Sequence, residues 1–291
     1  MTPELTRRTV GRARHGAALV AALFTIAVLA SLTAVASSQA RQSAAVVQNR
    51  RSQAAARAMA ESGVIAARLR IESQLAAVAG DSVRTDALLA ALTAAADAPD
   101  ARGALLQDSI GDGVFAVVVV DVSARLDVNT AGAEGLQRLF ATVTSASEAQ
   151  QVADAIDARV RGSGLVNDAN AQARRVRDSI GAVLLGRSPS SRAMQPFRSL
   201  DELLTVAGMR TEWLNAVAGD LTVDGDGRVN RRAASARVLA AATGTLVDRP
   251  SRLLLVSRGW RSGQVLTREI QAVYDVIGTE LRLVRWREQD R

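Results

Sequence analysis

The chain contains no cysteine and no lysine, and its single histidine is His15. Without cysteine there is no disulfide, no thiolate nucleophile and no thiolate metal site. Without lysine there is no Ser-Lys chemistry, and a lone histidine near the N-terminus excludes the usual acid–base, nucleophilic and zinc constellations. Carboxylate neighbours such as Asp201-Glu202 read more simply as an exposed helix face or first turn. The expectation is therefore a protein that is not an enzyme and takes no small-molecule substrate. Aromatics make up only 3% of the residues, so alanine, valine and leucine carry the apolar content, as suits helices packed through small side chains. Proline is absent from Glu4 to Ala98 and glycine from Ala17 to Ser62, so the first third holds almost no helix breaker.

What is present begins with Arg7, Arg8, Arg12 and Arg14, followed by the charge-free run from Gly16 to Ala40. The net charge of +7 falls to +4 without the first sixteen residues, which hold these four arginines and Glu4. The other arginines alternate with acids, as in QARRVRD and RWREQDR, and read as a solvated surface and not a nucleic-acid stripe. Three readings of the opening segment stand side by side. It is a secretory signal peptide cut at Ala34-Val35-Ala36 before Ser37, although its apolar region exceeds the usual roughly 7–15 residues. It is a plain anchor, since about 20 apolar residues span a bilayer and leading arginines keep the N-terminus cytoplasmic. Or it is cut at its front edge and retained. The third reading draws on the stretch beyond the apolar run. Residues 41–80 are rich in helix-forming Ala, Arg, Gln and Leu, and Val64, Ile71, Leu75 and Val78 recur at helical spacing. One helix is expected to run through the apolar segment and end near Gly80, with Gly63 its one weak point.

Beyond it, residues 81–108 read as short helix and loop with a breaker at Ala98-Pro99. Ile110–Gly113 read as a turn, and VFAVVVVDV as a buried strand. Asn129-Thr130 resembles a helix start, either side chain being a candidate cap, with EAQQVADAIDARVRG a second helix. GRSPSSRAMQP is a loop. Ser199 with Glu202 three residues on predicts a capping box opening a further helix. The stretch from Arg228 and Asn230 loosely repeats the earlier theme, giving two weakly similar helical units. RLLLVSRG, GQVLTREIQAVYDV and TELRLVRWREQDR predict an antiparallel meander that joins the earlier strand in one sheet on the long helix.

Arg14-His15-Gly16 followed by AALVAALFTIAVLASL resembles the leader and N-terminal helix of type IV pilin-like proteins. In that family a prepilin peptidase cuts after the glycine and methylates the new N-terminus. The resemblance thus implies cleavage between Gly16 and Ala17. The fifth mature position, usually glutamate, is Ala21 here. An apolar residue suits a subunit with no neighbour ahead of it, because an unpaired carboxylate in hydrocarbon is costly. This departure is similar to the K-type minor pseudopilins of type II secretion, which cap the pseudopilus tip. That family's helical-domain marks appear as Asp121 to Asn129-Thr130-Ala131, as Phe197-Arg-Ser199-Leu-Asp-Glu202-Leu-Leu-Thr-Val-Ala-Gly208, and as Arg228-Val-Asn230-Arg-Arg-Ala233. Ala124 stands where glycine is usual and Asp127 in place of the first Asn.

The resemblance implies an α+β fold: a pilin-like fold with a long N-terminal transmembrane α-helix on a small antiparallel sheet, and a large inserted all-α domain of SAM-like or helix-hairpin-helix-like kind. It implies a leader (1–16), a membrane helix (17–40), two pilin-like parts (41–128 and 250–291) and an insert of two halves (129–249). Implied partners are other minor pseudopilins, the major pseudopilin, the prepilin peptidase and the bacterial inner membrane, crossed once with the C-terminal domain in the periplasm, and no nucleic acid. Asp224-Gly-Asp226-Gly resembles the start of a calcium loop, but its twelfth position is Ser235, so a turn between helices is the plainer reading. Ca2+ with Asp224 and Asp226 as ligands is the one cofactor the resemblance allows. Two alternatives remain at this point: an exported or anchored helix-hairpin-helix DNA-binding protein, and a minor pilin of a related type IV pilus system.

Overall fold

A computed structural model describes residues 10–94, 106–161, 195–264 and 266–290. The leader residues 1–9, Ala98-Pro99 and most of the expected 186–196 loop lie outside the described residues. The chain divides into two units, Met1–Ala55 and Ala56–Arg291, and helix α1 (Val10–Ala77) contributes to both. No proline interrupts α1, and alanine dominates it, so the backbone keeps its i to i−4 bonds throughout. In the first unit Leu19, Val20, Leu23, Phe24, Ile26, Leu29 and Leu32 are all exposed.

In the second unit α1 ends in a turn at residues 78–80, where Gly80 takes φ +88°. Asp81 then caps helix α2 (Ser82–Ala94), its Oδ1 accepting the Arg84 N–H at 3.0 Å. Hairpin β1 (Leu106–Ile110) and β2 (Gly113–Asp121) turns through Gly111-Asp112, with Gly111 at φ +63°. Near the C-terminus β7 (Arg252–Arg261), β8 (Thr267–Ile277) and β9 (Glu280–Asp290) form the expected meander. The sheet has order β1-β2-β7-β8-β9 and every pair is antiparallel. Strand β1 was not expected. LQDSI is polar and mostly exposed, so it carries no alternation to read.

The α1 face against this sheet is Ala56, Ala60, Val64, Ala67, Ile71 and Leu75, all buried. Val78 falls in the closing turn and is half-buried. Phe115, Val117, Leu253, Leu255, Ile270, Ala272 and Tyr274 supply the sheet side of this core. Small residues let the backbones come close. A Cβ on Gly259 would run into the Ala56 carbonyl and the Ala60 amide, and one on Gly63 into Ser257, Phe115 and Val117. The expected weak point of the helix is thus a close contact with the sheet, because a missing side chain costs helix propensity but admits a strand.

Between Asp121 and Arg252 the chain builds a second core of its own, from Leu126 to Ala241. Its α-helices among the described residues are α3 (Gly132–Phe140), α4 (Ala146–Val160), α5 (Thr211–Val217) and α6 (Ala236–Ala241). The all-α expectation for this insert is corrected by two short parallel ladders. Strand β3 (Leu126–Asp127) pairs with β4 (Leu221–Thr222), and β5 (Arg228–Asn230) with β6 (Thr245–Val247). Residues 126–128 and 221–222 are buried, so their backbone groups need partners, and each segment supplies the other's; the Val128 N–H reaches the Thr222 carbonyl at 2.9 Å.

Candidate assembly site

In the first unit three of the hydroxyls in the charge-free run of α1 are bonded within the helix. Thr25, Ser31 and Thr33 each donate to the carbonyl four residues back, on Ala21, Ala27 and Leu29, at 2.7–2.8 Å. The polar groups are thereby satisfied inside the helix and an apolar exterior is left. The helix is long and apolar enough to cross a membrane, its best window having a mean hydropathy of 2.4 and none of it buried. Gly16 and Ala17 lie within the helical backbone of α1. Ala21 is exposed, so no carboxylate sits at that point of the helix.

In the insert, the structure brings Asn129 and Phe197 together. Asn129 Oδ1 accepts the Phe197 N–H at 2.8 Å, and Nδ2 donates to the carbonyls of Phe197 (3.1 Å) and Val223 (3.3 Å). One side chain thus ties the first half of the insert to two segments 68 and 94 residues away. Thr130 donates to Asp127 Oδ2 at 3.0 Å. Neither residue caps α3, whose N-cap is Ala131 with no side-chain bond. The expected cap is corrected: both side chains turn back to build the loop in front of the helix. Asn230 is the counterpart of Asp127. Each backbone carbonyl accepts from the amides three and four residues on, and each side chain accepts the amide two residues on. Asn230 Nδ2 also donates to the buried Asp121 at 2.7 Å.

The capping box expected at Ser199 and Glu202 is likewise corrected. Residues Leu200–Thr205 form a 3-10 turn, and Ser199 makes no cap bond. Glu202 takes the Arg198 N–H (3.2 Å) and the Arg159 guanidinium (2.6 Å), and Arg159 lies 4.2 Å over the Phe197 ring. A true capping box forms instead at Ser145 and Glu148, opening α4. Gly208 takes φ +85° in the bend before α5. Sequence reasoning places Asp121 only as the first residue of the family mark and gives no site role to Arg159, Arg252, Arg285 or Arg287. Their one legible signal was being charged residues set in otherwise apolar or alternating runs.

Burial pushes the carboxyl of Asp127 up from its ordinary value, against the bonds from Asn129 and Thr130, and does the same for Asp121. A raised folded value means that stability from this group is complete at low pH and is lost as pH rises through the carboxylate range. Asp127→Asn keeps an oxygen for the Asn129 amide and removes the buried charge. It is expected to unfold at a higher temperature than the parent at pH 7, with the gap closing towards pH 4. Thermal unfolding at both values checks this, and an equal gap at both would refute it.

The calcium suggestion does not fit the residues. Asp224 is buried and takes Arg285 at 2.9 Å on one oxygen and Arg287 on the other. Asp226 accepts the Arg228 N–H at 3.1 Å. Two guanidinium groups already neutralise Asp224, and among the described residues no cluster of three or more acidic or histidine ligands is present. The α3–α4 turn does not offer a phosphate site of the helix-hairpin-helix kind. In the α3–α4 turn the Thr142, Val143 and Thr144 amides go to the carbonyls of Leu139 and Phe140, at 2.9–3.1 Å. The Glu148 carboxylate covers the start of α4, where a phosphate would need to sit.

These parts define a pilin-like α+β fold: a long apolar N-terminal helix, an antiparallel sheet and a helical insert between its second and third strands. The structure is similar to a chain in the crystal structure of the GspK–GspI–GspJ complex from the enterotoxigenic Escherichia coli type 2 secretion system. The TM-score is 0.52 at 13% identity, covering 87% of this chain and all of that one. No protein-family model matches the sequence, and no curated protein does.

Proposed function

We propose that this chain is a K-type minor pseudopilin of a bacterial type II secretion system, and that it caps the tip of the pseudopilus. The observation that carries the reading is the fold. It is similar, over that chain's whole length, to a subunit of a complex made of minor pseudopilins. The apolar Ala21 supports a place with no subunit ahead of it. The bulk of the insert opposes addition of a further subunit. In this reading α1 anchors the chain once in the inner membrane with the remainder in the periplasm. Prepilin peptidase cuts between Gly16 and Ala17. Other minor pseudopilins pack against the chain, and the major pseudopilin comes next along the fibre. The role is assembly and not catalysis.

The test is the N-terminus of the mature chain, read by mass spectrometry of the membrane fraction. A chain that begins at Ala17 with a methylated amine is expected, and Gly16→Val should leave the unprocessed mass. A chain that begins at Ser37 would mean an ordinary signal peptide and would end the proposal.

A further inference from the structure

The two cores of the second unit share no residue. A polar, arginine-rich set of contacts ties the insert to the sheet. On the sheet face opposite α1, Arg252 on β7 donates to the carbonyls of Asp224 (2.9 Å) and Gly225 (2.5 Å). Arg285 and Arg287 on β9 hold the Asp224 carboxylate from both sides and both donate to the Arg198 carbonyl, at 3.2 and 2.8 Å. Two loops of the insert, at 198 and 224–225, are therefore gripped by three guanidinium groups. Asp224 is the carboxylate at their centre, only 8% exposed.

We infer that Asp224 is a latch that sets the posture of the insert on the sheet, and that the insert is a separable body when the latch is open. Three observations support this. First, the chain enters and leaves the insert at one place. Asp121 and Leu253 are directly paired, and the Ser251 N–H bonds to Ser123 Oγ beside them at 3.2 Å. Both connections lie together, as in a hinge, whereas Arg285 and Arg287 stand two strands away on β9. Secondly, the two cores are separate, and bodies with separate cores move relative to one another unless a large hydrophobic interface holds them. Thirdly, the cations outnumber their acids. Arg252 and Arg282 share Asp275, which leaves Arg285 and Arg287 to Asp224. Without Asp224 these two guanidinium groups, side by side on one strand face, lose the carboxylate between them, so the grip on the 224–225 loop is released. On another side Arg232 reaches Asp86 of α2 at 2.9 Å, but this pair is largely exposed on its arginine side and is a weaker tie.

Because the chain has no cysteine, a pair of spin labels can be placed cleanly. Glu212→Cys on the insert and Val284→Cys on β9 are both at exposed positions. Pulsed electron–electron spectroscopy on the full chain in detergent should give one narrow distance distribution. Asp224→Ala should at least double its width. The double variant Arg285→Met, Arg287→Met, which leaves the insert's own sequence intact, should do the same. With Trp260 and Trp286 of the sheet replaced by Phe, Trp213, buried within the insert, reports by fluorescence that the insert remains folded. A narrow distribution in both backgrounds overturns the latch. Should Asp224→Ala unfold the insert, the arginine pair decides alone: broadening supports the latch and a narrow distribution refutes it.

Discussion

Gly259→Val is expected to lower the thermal midpoint of the second unit by about 10 °C. The physical case rests on the α1–sheet contact. A Cβ at 259 meets the Ala56 carbonyl, the Ala60 amide and the Met59 carbonyl carbon, all of them backbone atoms that cannot rotate away. Either the strand or the helix must lift off, and overpacking of this kind costs about 3 kcal/mol. For a domain of this size each kcal/mol moves the midpoint by about 2–4 °C. Lifting α1 also opens the core at Val64, Ile71 and Leu75, which adds to the loss. The control is Gly219→Ala, where a Cβ meets nothing within 4 Å and φ is not positive. Circular dichroism of the full chain in detergent measures both. Equal midpoints for the two variants would mean that the close approach does not hold the helix to the sheet.

Asn129→Ala is expected to cost about 3 kcal/mol, felt in the insert and not in the sheet. The side chain makes three bonds, each worth about 1 kcal/mol net, and its loss leaves the Phe197 amide and the Val223 carbonyl without that partner. It also unties segments that no nearby sequence connects, so Phe197 loses the bonds that fix its place in the insert core. Thr130→Ala, which removes a single bond to Asp127, should cost about 1 kcal/mol. Trp213 fluorescence during denaturant unfolding, in a background with Trp260→Phe and Trp286→Phe, compares them. A smaller loss at Asn129 than at Thr130 would remove Asn129 from its central place in the insert.

The parts of this fold that were legible are those with a repeating physical signal. β2 alternates buried and half-buried along its length, β7 and β8 keep an apolar face, and the long helix has no breaker. The alanines of α1 were not assigned to its buried face, because alanine suits either side of a helix, and only the approach of Gly259 shows why Ala56 and Ala60 must be small. The insert was legible as a series of turns and helices but not in its side-chain roles. Ser145-Ala-Ser-Glu148 and Ser199-Leu-Asp-Glu202 share one capping pattern. Only the first is followed by enough residues to propagate an α-helix; the second meets Gly208 after a short stretch and tightens into a 3-10 turn. Asn129 was singled out, but as a cap, since bonds spanning 68 and 94 residues leave no local trace. The Arg252, Arg285 and Arg287 grip was invisible for the same reason. In sequence those residues are merely the polar positions of alternating strands.

The pairing of β2 with β7 joins segments more than 130 residues apart. During synthesis the apolar run of β2 emerges with β1 on one side and nothing on the other. Its second partner arrives only after the whole insert has been made, on the order of ten seconds at usual elongation rates. A bare Val-rich strand over that interval is a template for mispairing with other chains. The insert shortens the hazard. Its core needs nothing from the sheet, so it can close first and deliver Asp121 and Leu253 side by side, replacing a loop closure of over 130 residues by one of a few. In this order of events the insert is a folding module for the strands that flank it before it is anything else.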